Sequence, residues 1–324
     1  MSGLTNDQST PPPGHRLIRL YPARYRAAHG EDVAATFADT VEGQPARVVR
    51  RERRDLVTHA LRLRFRIGPT DPAGRVLAGA APIQLALAAG VALYRALPQF
   101  DQLVRGDQVP SPMRTVLHAS FELSCTVPWL LALAFALLGR WRTARLTGWW
   151  GSVLSAALAV PVYRSFLDRY LLGEMAALTV LACTALVLAP AGLVDVTQRG
   201  RRRMVGVALG TGIPMIVFGQ YGIDLIPVTG VVSLPVWMSV VVAVVLLGEL
   251  SGRRPDPLVA VGVALATVPW VAPYLLGVFD GWVGPGTALT VGAAWLTPIG
   301  AAVAVAGLVR LVRRVRSAEP SDPA

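Results

Sequence analysis

Glu122, in the stretch "HASFELSCTVPWLLALAF", is the one ionisable residue that falls well inside an apolar run of this chain. A carboxylate placed in hydrocarbon is costly, so such groups either mark proton or substrate paths or pair with a cation. Arg95 and Arg164 end neighbouring apolar runs at a similar depth, and an ion pair with one of them would offset the burial. Gln84 and Gln220 are polar but uncharged, and hydrogen bonding between helices is the usual role of such residues. Glu122, Gln84, Gln220, Arg164 and Arg95 therefore form the candidate intramembrane polar site. Asp168, Glu174, Asp195, Asp224, Glu249 and Asp280 fall at the ends of apolar runs, where water is near.

Other chemistry is missing. His118 is the only histidine beyond the N-terminal segment, and there is no H-E-x-x-H, so no catalytic or metal site is expected. All 31 basic residues are arginine. Without a lysine amine, P-loop, Schiff-base and pyridoxal chemistry are excluded. Cys125 and Cys183 both sit in apolar runs and suit small buried residues better than a disulfide framework. A protein that is not an enzyme and holds no cofactor is the expectation.

The elements that must position these residues follow from composition. Of the 324 residues, 53% are hydrophobic and 16% charged, against about 25% charged in soluble domains. The mean hydropathy is +0.49. Runs of about 20 apolar residues recur, each able to cross a hydrocarbon core of about 30 Å. They predict eight helices, at 76–96, 117–138, 146–166, 175–194, 204–222, 231–250, 257–279 and 287–309. The fold class is all-α, a polytopic transmembrane bundle with a small helical N-terminal module. No cleavable signal peptide is visible, because the first 75 residues are polar and basic.

Arginine placement sets the orientation. Counting alternate connections as one side, 26 of the 31 arginines fall with the two termini, among them "RGRRR" at 199–203. The positive-inside rule then puts both termini in the cytoplasm and the bundle in the cytoplasmic membrane. Every expected span contains proline, with Pro128, Pro214 and Pro269 nearest the middle. Such breaks are ordinary kinks or, in transporters, the discontinuous helices around a midplane site. Gly206 and Gly210 make a GxxxG spacing suited to close helix contact.

Residues 1–14 read as a disordered tail, 15–66 as a cytoplasmic helical module, 67–75 as a linker, 76–311 as the bundle and 312–324 as a cytoplasmic tail. Within the module, "GQP" at 43–45 breaks one helix, and "ARVVRRERRDLVTHALRLRFR" begins a second. Its arginines suit anionic headgroups rather than nucleic acid, since no helix-turn-helix or zinc pattern accompanies them. The stretch "LIRLYPARYRAAHGEDVAATF" carries Leu17, Leu20, Tyr21, Pro22, Tyr25, Arg26, His29, Gly30 and Glu31 in a recurrent spacing. It resembles the prefix segment ahead of some bacterial permeases, and the N-termini of actinobacterial multi-pass membrane proteins. Those permeases carry four spans per unit and a large outer domain, whereas every outer connection here is short. The resemblance implies a membrane protein with a cytoplasmic prefix module and brings no catalytic residues. Two functions stay open: a permease-like transporter or exporter component, or a non-transporting scaffold or regulatory protein. Partners are the bilayer and its anionic headgroups, with a membrane protein or a second copy as further candidates.

Overall fold

The structure is a computed structural model that describes residues 15–68, 71–105, 112–163, 189, 194, 197–220, 230–252, 255–270 and 285–318. Among the described residues every regular element is a helix and none is a strand. The chain divides into two compact units, Met1–Gly74 and Arg75–Ala324. The tail at 1–14 and, apart from Ala189 and Val194, the expected helix at 175–194 lie outside the described residues.

The N-terminal unit contains α1 (His15–Ile18), α2 (Ala23–Val41) and α3 (Ala46–Arg64). Pro22 and Pro45 stand just before α2 and α3, where the missing N–H removes no helical hydrogen bond. Gly43, at φ 67°, makes the left-handed turn between them. A Cβ on Gly30 would stand 3.6 Å from Ile18, so α1 packs on α2 at ordinary contact distance there. Ile18, Tyr21, Phe37, Ala60 and Ile67 are its buried hydrophobics. So small a core leaves the arginines of α3 largely in water.

In the second unit follow α4 (Pro72–Arg105), α5 (Pro112–Leu137), α6 (Trp141–Tyr163), α7 (Gln198–Gln220), α8 (Gly230–Leu250), α9 (Pro257–Leu265) and α10 (Pro285–Ala318). Its core joins Ile83, Leu85 and Leu87 of α4 to Met204 and Val207 of α7, Val242 and Leu246 of α8, and Val263 of α9. Two stretches, Pro72–Ala96 and Gly292–Leu311, are long and apolar enough to cross a membrane. They are placed differently: 72% of the first apolar window is buried inside the protein, but only 11% of the second. Helix α4 is thus an axis of the unit and α10 a peripheral member.

Several helices outrun their apolar runs. Helix α4 begins at Pro72, and α10 continues to Ala318 through its arginines. Helix α9 runs to Leu265, is interrupted by a turn, and residues 268–270 are helical again, while 271–279 of the expected helix lie outside the described residues. Pro269 has no N–H to offer the Leu265 carbonyl, and the chain turns at 266–267. Between α5 and α6, Arg140 N–H donates to the Phe135 carbonyl and Gly139 N–H to Ala136, at 2.8 and 2.9 Å. With Gly139 at φ 78° this is a Schellman closure. Pro128 is seated against α6 at Gly151, where a Cβ would come within 2.1 Å of the proline ring.

Candidate functional site

Close backbone approach places α4 against its neighbours, and it is possible only because glycine stands at the contacts. A Cβ on Gly262 of α9 would lie 2.0 Å from the Val76 carbonyl oxygen, and one on Gly79 would lie 2.4 Å from that of Val259. Further along α4, a Cβ on Gly90 would meet the Ala208 carbonyl oxygen at 2.6 Å and Thr211 at 2.7 Å. Helix α4 therefore lies directly on α9 at one level and on α7 at another. The GxxxG pair behaves otherwise. A Cβ on Gly206 meets nothing within 4 Å and one on Gly210 only Val241 at 3.9 Å. That spacing is not a seam between helices among the described residues, because its face looks outward.

Between the two glycine contacts lies Gln84, 2% exposed, whose Nε2 has no hydrogen-bond partner among the described residues. The Thr211 hydroxyl, fully buried, is in the same state. The other buried hydroxyls nearby bond back to their own helices, as Ser152 does to the Gly148 carbonyl and Ser239 to Val236. A buried amide group left unpaired costs about 1–3 kcal/mol.

Each helix against α4 carries a proline break tied to a tryptophan. In α7, Pro214 leaves the Gly210 carbonyl without its helical donor, and the Trp237 indole N–H of α8 supplies one at 2.9 Å. Beside the break in front of Pro269, Thr267 donates to the Ala264 carbonyl and accepts the Trp295 indole N–H of α10, both at 2.9 Å. Sequence reasoning found the prolines but not these donors, which come from other helices and leave no local signal.

Charges gather at one end of this unit. Arg75, at the start of α4, donates twice to Asp256 ahead of α9, at 3.0 and 2.5 Å. Arg203 of α7 meets Glu249 of α8 at 2.6 Å. Arg310 of α10 donates to the Leu250 carbonyl through Nε and a terminal nitrogen, at 3.0 and 2.7 Å. The α5–α6 turn reaches the same end, a Cβ on Gly139 lying 3.1 Å from the Arg201 guanidinium. Partial burial of Asp256 works against its charge. The hydrogen bond from Arg75, the Val259 and Leu258 amides and the guanidinium charge outweigh that and hold its carboxyl below the ordinary value.

The prefix motif forms a ring stack. Tyr21 lies against Tyr25 with centroids 5.2 Å apart, and Tyr25 against His29 at 4.9 Å. His59 of α3 joins them, its Nδ1 3.0 Å from the Tyr21 hydroxyl. Burial, and then the neighbouring Tyr25, push the Tyr21 phenol up. Pro22 starts α2, Arg26 donates to the Arg19 carbonyl at 3.4 Å, Gly30 seats Ile18, and Glu31 is exposed.

The expected polar set is only partly brought together. Arg95 is exposed on α4 while Gln84 is buried. The side chains of Glu122 and Gln220, and the whole of Arg164, lie outside the described residues. Among the described residues no group of His, Cys, Asp and Glu could hold a metal ion. No family model, no curated protein and no solved structure matches the chain.

Proposed function

We propose that the chain is an eight-span α-helical protein of the cytoplasmic membrane with both termini inside, and that its bundle is a permease-like transporter or exporter component. The observation that carries this reading is Gln84. Its amide nitrogen, without a hydrogen-bond partner among the described residues, is buried on a helix packed against two others, each broken by proline. A polar group held free inside apolar helices suits a passing polar solute better than it suits packing.

The grouping of charges supports the orientation. The turn before α6, the start of α7, the end of α8 and the basic part of α10 meet at one end. All of these fall on the side to which the positive-inside rule assigns the cytoplasm. The arginines of α3 then face anionic headgroups, each contributing about 1 kcal/mol near the surface. The prefix likeness, the absence of an enzymatic role and of nucleic-acid binding, and a membrane protein or second copy as partner belong to the same proposal.

A non-transporting scaffold or regulatory protein is the second reading. The buried polar residues, Gln84, Thr126, Ser152, Thr211, Ser239 and Thr267, include no charge among the described residues. Two measurements decide. Reporters fused after residues 108, 142, 200, 226, 254, 283 and 318 test the span count, with 142, 200, 254 and 318 expected inside. Gln84→Cys, in a chain with Cys125 and Cys183 replaced by Ala, is then treated with a small water-soluble thiol reagent. Labelling supports a hydrated path; its absence, with topology intact, moves the assignment to the scaffold.

A further inference from the structure

We infer that the groove between α2 and α3 is a docking site for an arginine-bearing segment of a partner protein. The groove encloses about 430 Å³ and is confined to the N-terminal unit. One wall carries the ring stack of Tyr21, Tyr25 and His29, with His59 facing it from α3. Val33, Phe37 and Leu56 supply its apolar lining. Asp32, Glu52 and Asp55 stand around it, and no ion pair engages them among the described residues.

Hydrogen-bond accounting points to the ligand class. Thr36 and Thr40, both on the groove, spend their hydroxyl protons on the carbonyls of Asp32 and Thr36, at 2.8 and 2.7 Å. The Tyr21 hydroxyl is turned to the Leu56 carbonyl and the His59 ring. What the groove offers is therefore mostly acceptors: three carboxylates and two threonine oxygens, with the Tyr25 hydroxyl and single imidazole N–H groups as the remaining donors. An anion finds little here. A guanidinium, with five donors and no acceptor, fits the supply, stacks on aromatic faces, and lays its methylene stem on apolar surface. The same unit displays seven arginines on α3, yet none of them neutralises these acids among the described residues. The groove is an acceptor-lined aromatic slot in an otherwise cationic module, and this inference stands whether or not the bundle transports.

The test titrates the full-length protein in a neutral detergent with a capped arginine–alanine peptide, by calorimetry. The expected result is saturable binding that weakens with added salt, and none for the isosteric citrulline peptide, which lacks the charge. Glu52→Gln with Asp55→Asn should weaken binding about tenfold, and Tyr25→Leu a few-fold, with helix content by circular dichroism unchanged. Equal binding of the citrulline peptide, or undiminished binding by these variants, overturns the inference. Two further arms address the source. If removing the chain's own basic segment after residue 311 uncovers the site and raises affinity, the occupant is internal and the partner is rejected. If phosphatidylglycerol vesicles lose binding in the same variants, the groove serves lipid and the inference fails.

Discussion

In the bundle, Asp256 and Glu249 each hold an arginine from another helix, at 2.5 and 2.6 Å. In the N-terminal unit, Asp32, Glu52 and Asp55 make no ion pair among the described residues, although α3 alone carries seven arginines. The contrast follows from the surroundings. Between half-buried helix ends, pairing offsets the cost of desolvation and fixes which end meets which. On a small unit bathed in water an ion pair is worth about 0–1 kcal/mol, so the same groups remain open to partners. Charge is a structural tie in one region and stays unpaired among the described residues in the other.

The largest effect that would sharpen this comparison comes from backbone contact. Gly262→Val must displace the Val76 carbonyl, 2.0 Å from the new Cβ, and should cost about 3 kcal/mol or more. Gly30→Ala in the N-terminal unit meets the flexible Arg26 stem at 3.2 Å and Ile18 at an ordinary 3.6 Å, and should cost under about 1 kcal/mol. Denaturant unfolding in detergent micelles measures both, and similar losses would break the distinction.

Next in size is the tryptophan tie. Trp237→Phe strips the Gly210 carbonyl of its donor and should cost about 1–2 kcal/mol. In a Pro214→Ala background residue 214 regains an N–H for that carbonyl, so the same change should cost clearly less. A double-mutant cycle reads the difference, and additive losses would mean that the indole bond does not answer the proline.

Smaller still is Asp256→Asn, which keeps a helix-capping side chain but loses the charge, for about 0.5–1 kcal/mol. The Arg75 side chain is 40% exposed, and solvent screening limits the value. Because the folded carboxyl titrates below its unfolded value of about 3.9, its contribution is fully present above about pH 4. It is lost as the pH falls through the lower folded value. Asp55→Asn should leave stability within about 0.5 kcal/mol; a larger loss there would erase the contrast. Least affected is Gly206→Ala, whose Cβ meets nothing within 4 Å. It should be neutral or stabilising by up to about 1 kcal/mol through helix propensity.

Helical class was legible from the spacing of apolar runs, and the "GQP" break from turn chemistry. The described helices overlap each expected apolar helix except that at 175–194. Arginine-rich ends were drawn too short, because hydropathy ends where charge begins while the helical hydrogen bonds of α4 and α10 continue. The window at 257–279 ran across a turn at 266–267, just ahead of Pro269, that hydropathy does not register. Gln84 was visible as a polar letter among apolar ones. Thr211, Trp237, Trp295 and His59 were not, because what matters in each is a neighbour many residues away. The stack of Tyr21, Tyr25 and His29 follows from four-residue spacing on one helix face; that α3 would lay His59 against it does not.

The gathering of charge at one end of the bundle has a mechanical consequence. There Arg75 fastens α4 to the start of α9, and Arg203 and Arg310 fasten α7 and α10 to α8, two groups of helices each tied at that end. A set of rods fastened at one end behaves as a fan, with little travel at the pivot and most at the rim. For a helix about 30 Å long, a tilt of about 5° at the pivot carries the opposite end about 2.6 Å. By that geometry a small tilt at the arginine end would be a larger displacement at the far face.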